Sequence, residues 1–254
     1  AGGCAIVRRA WRFIALGIAV YLLILVTTFP AVRVTGMLEE RVPGLSVHAV
    51  SGSVFSGQAG RVIWQDLDLG PVHWQFRPVA LLWGTVEYRV ELTHPANHGQ
   101  LTAGTSLTGR AYVEDVELVV LPDRILNHYS PVEIATSGEL LLAFKEIDLA
   151  DIFSKTTNGR IAWRDAVILE PVNMVLGQLE LGVQGNTVEL VGEVIEGGEL
   201  GASGEVSLSR DNSYRIELLL QPGYDVDRAT LDLLEEAAWM QPNGDYLIEQ
   251  SGQL

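Results

Sequence analysis

Cysteine is almost absent from this chain. Its 254 residues contain one, Cys4, so no internal disulfide holds the fold and core burial has to do it. Lysine is nearly as scarce, at Lys145 and Lys155 alone. Basic residues number 17 against 32 acidic ones, a formal net charge of −15. That balance excludes nucleic acid and anionic headgroups as partners held by bulk charge. Catalytic signatures are missing as well. The sequence has no G-x-S-x-G elbow, no H-E-x-x-H and no G-x-x-x-x-G-K-[ST]. His94 and His98 have a metal-ligand spacing, but Pro95 and Gly99 place them in a loop with no Cys or second pair nearby. His48 and His73 fall on the polar side of alternating segments, and the acids are scattered as on a solvated surface. No catalytic residue, metal site or cofactor is expected, and the chain is not read as an enzyme.

Charge is also missing from one long stretch. Phe13 to Phe29, FIALGIAVYLLILVTTF, contains no charge and no Pro. A membrane-crossing helix needs about 20 apolar residues, with about 17 as the lower limit. Phe13, Leu16, Ile18, Tyr21, Leu22, Leu23, Leu25 and Phe29 would face lipid. Arg8, Arg9 and Arg12 precede the run, so the positive-inside rule keeps residues 1–12 cytoplasmic and exports the chain beyond Pro30. A cleavable signal peptide has a shorter apolar core and a small-x-small site, and Thr27-Thr28-Phe29-Pro30 offers none. The expected plan is a cytoplasmic tail at 1–12, a transmembrane helix at 13–32, a juxtamembrane linker at 33–45 and a β-rich domain at 46–254. Beyond residue 29 the chain carries 14 basic and 32 acidic residues, a net −18.

After Val34 a short helix-like stretch runs from Thr35 to Arg41, and Pro43-Gly44 ends it. The period then changes to two. Val86-Glu87-Tyr88-Arg89-Val90-Glu91-Leu92 alternates without a break, and similar segments continue to Leu220. Such alternation predicts strands with one wetted face. The chain has 26 Gly, and they punctuate the strands at turn spacing. About a dozen antiparallel strands are expected. Asp225 to Met240 reads as a helix, with Leu231, Leu234 and Ala238 on one face. The triplets Leu140-Leu141-Leu142 and Leu218-Leu219-Leu220 fit burial on both faces or a strand crossing between sheets. The predicted fold class is therefore mainly β: an antiparallel β-sandwich, or a curved sheet with an apolar groove, plus a short C-terminal helix. A loose internal echo aligns Gly52–Phe76 with Gly159–Val183, and Trp64 with Trp163; it fits an old duplication, but better the look of any hairpin array.

One segment carries a family text. Gly52 to Leu92 reads G-S-V-F-S-G-Q-A, a strand with Trp64, then L-D-L-G-P-V-H-W-Q-F-R-P-V-A-L-L-W-G. Its marks are Gly52, Gly57, Trp64, Gly70, Trp74, Pro78, Leu81, Leu82 and Gly84. Gly159, Trp163 and Gly177 continue it. This order resembles protein N of the type II secretion system. The resemblance implies an inner-membrane protein with one helix and a periplasmic β domain. It would be an accessory part of the machine that moves folded proteins across the outer membrane, with no catalytic residues to carry over. Other secretion components are the implied partners, met by strand addition at an open sheet edge. The Trp-Pro-Leu-Leu-Gly text also resembles AsmA-like envelope proteins, which keeps a second expectation open: an apolar, lipid-like ligand held in a curved sheet.

Overall fold

A computed structural model describes residues 17–18, 28–65, 67–123, 126, 134–170, 173–223, 226 and 228–253. Arg8, Arg9, Arg12, Phe13, Leu16, Tyr21, Leu22, Leu23 and Leu25, and with them most of the predicted membrane helix, lie outside the described residues, as do Asp225 and Asp227. No described helix is long and apolar enough to cross a membrane. The chain divides into two compact units, Ala1–Phe76 and Arg77–Leu254.

In the first unit the apolar run ends against a hairpin. The Val54 N–H donates to the Phe29 carbonyl at 2.9 Å and the Ala31 N–H to the Gly52 carbonyl at 3.2 Å. Helix α1, Val32–Arg41, then begins, three residues earlier than its sequence signal. Glu39 on this helix accepts from the Val47 N–H at 2.7 Å, which ties it to strand β1, Leu45–His48. Strands β2, Ser51–Gly52, β3, Ser56–Trp64, and β4, Leu67–Phe76, come next. β3 pairs antiparallel with each of the other three. Ala59 and Val62 are its buried apolar residues.

The second unit opens with a 3-10 turn, Pro78–Trp83. It leads into strands β5, Thr85–Thr93, β6, His98–Ser106, β7, Ala111–Val120, and β8, Ala135–Asp148. Next come β9, Asn158–Glu170, β10, Met174–Gly185, β11, Glu189–Gly197, β12, Ser203–Ser209, and β13, Ser213–Leu220. From β6 to β13 each pairs antiparallel with its predecessor, an up-and-down order in which most connections are short turns, several bearing Gly or Asn. Helix α2, Arg228–Ala237, interrupts the meander. Beyond it β15, Tyr246–Gln253, pairs with β13, and the two-residue β14, Trp239–Met240, lies on the far side of β15.

Two expectations change here. In each unit the strands form one sheet whose order follows the sequence except at β2 and β14, so the sandwich alternative gives way to an open antiparallel meander. Trp239 and Met240 leave the predicted helix and form β14, because pairing with Tyr246 and Leu247 satisfies backbone groups that a last helical turn leaves open. The remaining helix behaves as its pattern requires. Leu234 is buried with Leu200, Leu220 and Tyr246, and Leu231, Ala238, Met174, Leu176 and Ile248 pack around them. This cluster also explains the second Leu triplet, since Leu220 enters the core under the helix. Leu140, Leu141 and Leu142 are half-buried in the single layer.

Candidate functional site

The family-text residues act as fold locks. Gly57 lies beneath the Trp74 ring, and a Cβ there would meet the ring at 2.5 Å. The Trp74 indole N–H donates to the Ser53 carbonyl at 3.1 Å, fixing the β2–β3 hairpin. Trp163 repeats the contact, donating to the Ser137 carbonyl at 3.0 Å. The echo in the sequence thus aligns the wrong tryptophan: Trp74, not Trp64, shares the role of Trp163. Trp64 is exposed at the end of β3. Gly70 and Gly177 sit at register shifts of the ladder, and Gly159 lies under Phe144. Pro78 starts the 3-10 turn and Gly84 closes it at φ +74°, with its N–H donating to the Leu81 carbonyl at 3.1 Å. Only Gly accepts that left-handed cap without a Cβ penalty. Leu81 and Leu82, between them, are exposed.

Histidines stay apart. His94 Nδ1 accepts from the Ala96 N–H at 3.1 Å, whereas His98 begins β6 instead of sitting in the loop. His73, expected to be solvated, is half-buried. Its Nε2 meets Gln58 Oε1 at 3.0 Å, and its buried Nδ1 has no partner. Among the described residues no three His, Cys, Asp or Glu are placed to hold a metal ion.

A recess of about 1200 Å³ lies along strands β5 to β11. Arg89, Lys145, Lys155 and Arg160 line it together with Asp115, Glu117 and Glu193. Arg160 pairs with Glu180 at 3.2 Å. Arg89 and both lysines have no ion pair among the described residues. The lining is mixed, since Leu101, Val116, Phe144, Val183, Val191 and Ile195 stand beside these charges. The charges gather there by register: the Arg, Gln and Glu positions of these alternating strands share the recessed face.

That register continues into a row of acids. Glu193 faces Glu205, Glu205 faces Glu217, and Glu217 faces Glu249. Directly opposed residues share a face at Cβ separations of about 5 Å, and like charges there repel. Arg215 offsets the row in part, 3.6 Å from Glu217. The row ends on β15, whose outer edge from Ile248 to Gln253 has no strand partner among the described residues. The sequence held a signal for this: Glu193, Glu205 and Glu217 recur every 12 residues, the repeat of the meander.

Two further clusters set local electrostatics. Arg110 donates to Asp148 at 2.7 Å, Glu146 at 2.6 Å and Thr156 at 3.0 Å. Asp148 also accepts from the N–H groups of Ala150 and Asp151. Burial alone would raise the Asp148 carboxyl, but these donors outweigh it and hold the group below the usual carboxylate range. Glu114 moves the other way. Burial pushes it up, nearby Glu87 and Asp115 push it further, and Arg77 at 3.8 Å only partly opposes them.

Comparison with known proteins places this architecture. The family model described as type II secretion system (T2SS), protein N, matches residues 43–248. The chain belongs to this family. It is similar to the type II secretion system protein N of Vibrio cholerae serotype O1, 27% identical over 83% of this chain and 86% of that protein. It is also similar to the protein of that name from Aeromonas hydrophila, 25% identical over 82% of this chain and 84% of that one. No solved structure matches the chain. The family match spans the locks at Gly57, Trp74, Gly84 and Trp163, the acidic row from Glu193 to Glu217, and the start of β15. The chain is therefore a component of the type II secretion machinery.

Proposed function

We propose that this chain is a non-catalytic assembly component of the type II secretion machinery. Residues 13–32 hold it in the inner membrane with its N-terminus in the cytoplasm. Its β units lie in the periplasm and join other secretion components by strand addition on β15. The observation that carries this reading is the open edge of β15 from Ile248 to Gln253. An unpaired strand presents a row of N–H and C=O groups that a partner strand can complete. The Glu row leading to that edge favours a partner with basic side chains at alternate positions. The uncharged run at 13–29 behind three arginines supports the placement.

Cross-linking in intact membranes, then affinity capture of the full chain, tests the reading. Recovery of other secretion components is expected. Capture of the chain alone, at every cross-linker length, would remove the assembly role.

A further inference from the structure

The second unit carries an apolar tip that its own fold does not use. In the turn Pro78–Trp83, Leu82 is 80% and Trp83 81% exposed, and Val79 and Leu81 are exposed beside them. Leu107, 83% exposed, sits against the same turn: its N–H donates to the Gly84 carbonyl at 3.0 Å. The turn is not loose. Thr85 Oγ1 donates to the Ala80 carbonyl at 3.1 Å, and Ala80 is buried beneath the exposed residues. The geometry holds four large apolar side chains and an indole outward on a built support. Soluble surfaces carry single exposed apolar residues routinely, but a contiguous patch marks an interaction site.

Neighbouring loops extend the patch. Leu149 comes just after the β8 end, where its N–H donates to the Ala111 carbonyl at 3.0 Å, and Leu149 and Val188 are exposed at the same ends of the meander strands. The charges near these loops are partly paired, Arg110 with Asp148 and Glu146 and Arg210 with Asp151 at 2.6 Å. Pro78 to Thr85 carries no charge at all. The tip follows closely in sequence on the unit that the apolar run enters. The apolar run ends at Phe29, whose carbonyl accepts from Val54 in the first unit. Phe76, at the end of β4, donates to the adjoining Phe55 carbonyl at 2.7 Å, and Pro78 lies two residues further along the chain.

We propose that the Val79–Trp83 tip, with Leu107, inserts shallowly into the lipid surface of the membrane that holds the chain. Trp prefers the headgroup boundary, and aliphatic side chains beside it enter the outer acyl region. An uncharged tip needs no anionic lipid, in keeping with the acidic chain behind it. Such insertion fixes the orientation of the β units on the bilayer, which a single point of attachment cannot do. The inference rests on the inner-membrane reading above.

The test uses the full chain in phosphatidylethanolamine–phosphatidylglycerol vesicles. In a Cys4→Ser background, Leu82→Cys carries an environment-sensitive fluorophore, and Glu199→Cys, in the turn at the opposite ends of the strands, serves as the control. Spin-labelled lipids are expected to quench the label at 82 several-fold more than at 199, with the label at 82 shielded from an aqueous quencher. Leu107→Cys should behave like 82. Alkaline carbonate extraction separates the two claims. Retention after extraction with a water-exposed, lipid-silent label at 82 overturns the insertion and leaves the anchor standing. Release by carbonate after lipid quenching at 82 overturns the anchor and supports the insertion. Release with no lipid quenching overturns both. A label shielded only when other secretion proteins are added overturns the lipid surface in favour of a protein pocket.

Discussion

Glu205 stands between two carboxylates that cannot avoid it. Glu193 and Glu217 are its direct cross-strand neighbours on β11 and β13. At a separation of about 5 Å, each like-charge pair costs about 0.8 kcal/mol in water by Coulomb's law. Directly opposed pairs in sheets have measured effects of about 0.2–1 kcal/mol. Exposed side chains splay apart, so about 0.5 kcal/mol per pair is the fitting value. Glu205→Gln removes both pairs and keeps the side-chain shape. It is expected to stabilise the fold by about 1 kcal/mol at low salt, roughly 2–4 °C in Tm for a unit of this size. Glu205→Lys, which attracts both neighbours, should gain more. The assay is thermal unfolding by circular dichroism of the full chain in detergent, at about 0.01 M and about 1 M salt. Screening lengths of about 30 Å and about 3 Å bracket the carboxylate spacing, so the gain should shrink at high salt. A lower Tm for Glu205→Gln at low salt, or a gain independent of salt, would refute the reasoning. If the row guides a basic partner, the same substitution weakens capture of that partner while strengthening the fold. That opposition separates a docking row from a packing defect.

Three other perturbations have definite expected outcomes. Asp148→Ala strands the N–H groups of Ala150 and Asp151 and removes the Arg110 partner; a loss of about 2–4 kcal/mol is expected in denaturant titration. The Asp148 carboxyl is held low, so its contribution is full above the ordinary carboxylate pKa and fades as pH falls through the folded value; the pH dependence of wild type should flatten there in the variant. Glu114 is raised, which reverses the sign: its ionised form costs stability, so Glu114→Gln should raise Tm at neutral pH, and the gain should vanish on acidification through the carboxylate range. Leu234→Ala, under the C-terminal helix, should cost about 2–5 kcal/mol in denaturant titration.

Much of this fold is legible in the sequence because its sheet alternates cleanly. Val86 to Leu92 falls wholly within β5, and Ser213 to Leu220 is β13 to the residue. Gly and Pro at the family positions mark real locks, so their order carries the family even though each position alone says little. What local pattern could not provide is pairing. Whether strands stack as two sheets or succeed one another in one depends on long-range partners, and the sandwich expectation failed on that point. The Trp239–Met240 strand exists only because Tyr246 and Leu247 lie alongside it. The acidic row is invisible as a row until register aligns Glu193, Glu205, Glu217 and Glu249. The apolar text at Pro78–Trp83 reads as an apolar helical turn between strands; that Leu82 and Trp83 stay exposed on it is visible only in the structure.

Site-specific photo-cross-linking at Ser251, on the open edge of β15, tests assembly by strand addition most directly. In membranes containing the whole machinery, the account predicts a cross-link from Ser251 to another secretion component. The cross-link should weaken with Glu205→Lys and be absent from a control position at Asn212. Cross-links that form equally at both positions, or none at Ser251 while the chain still captures its partners, would contradict it.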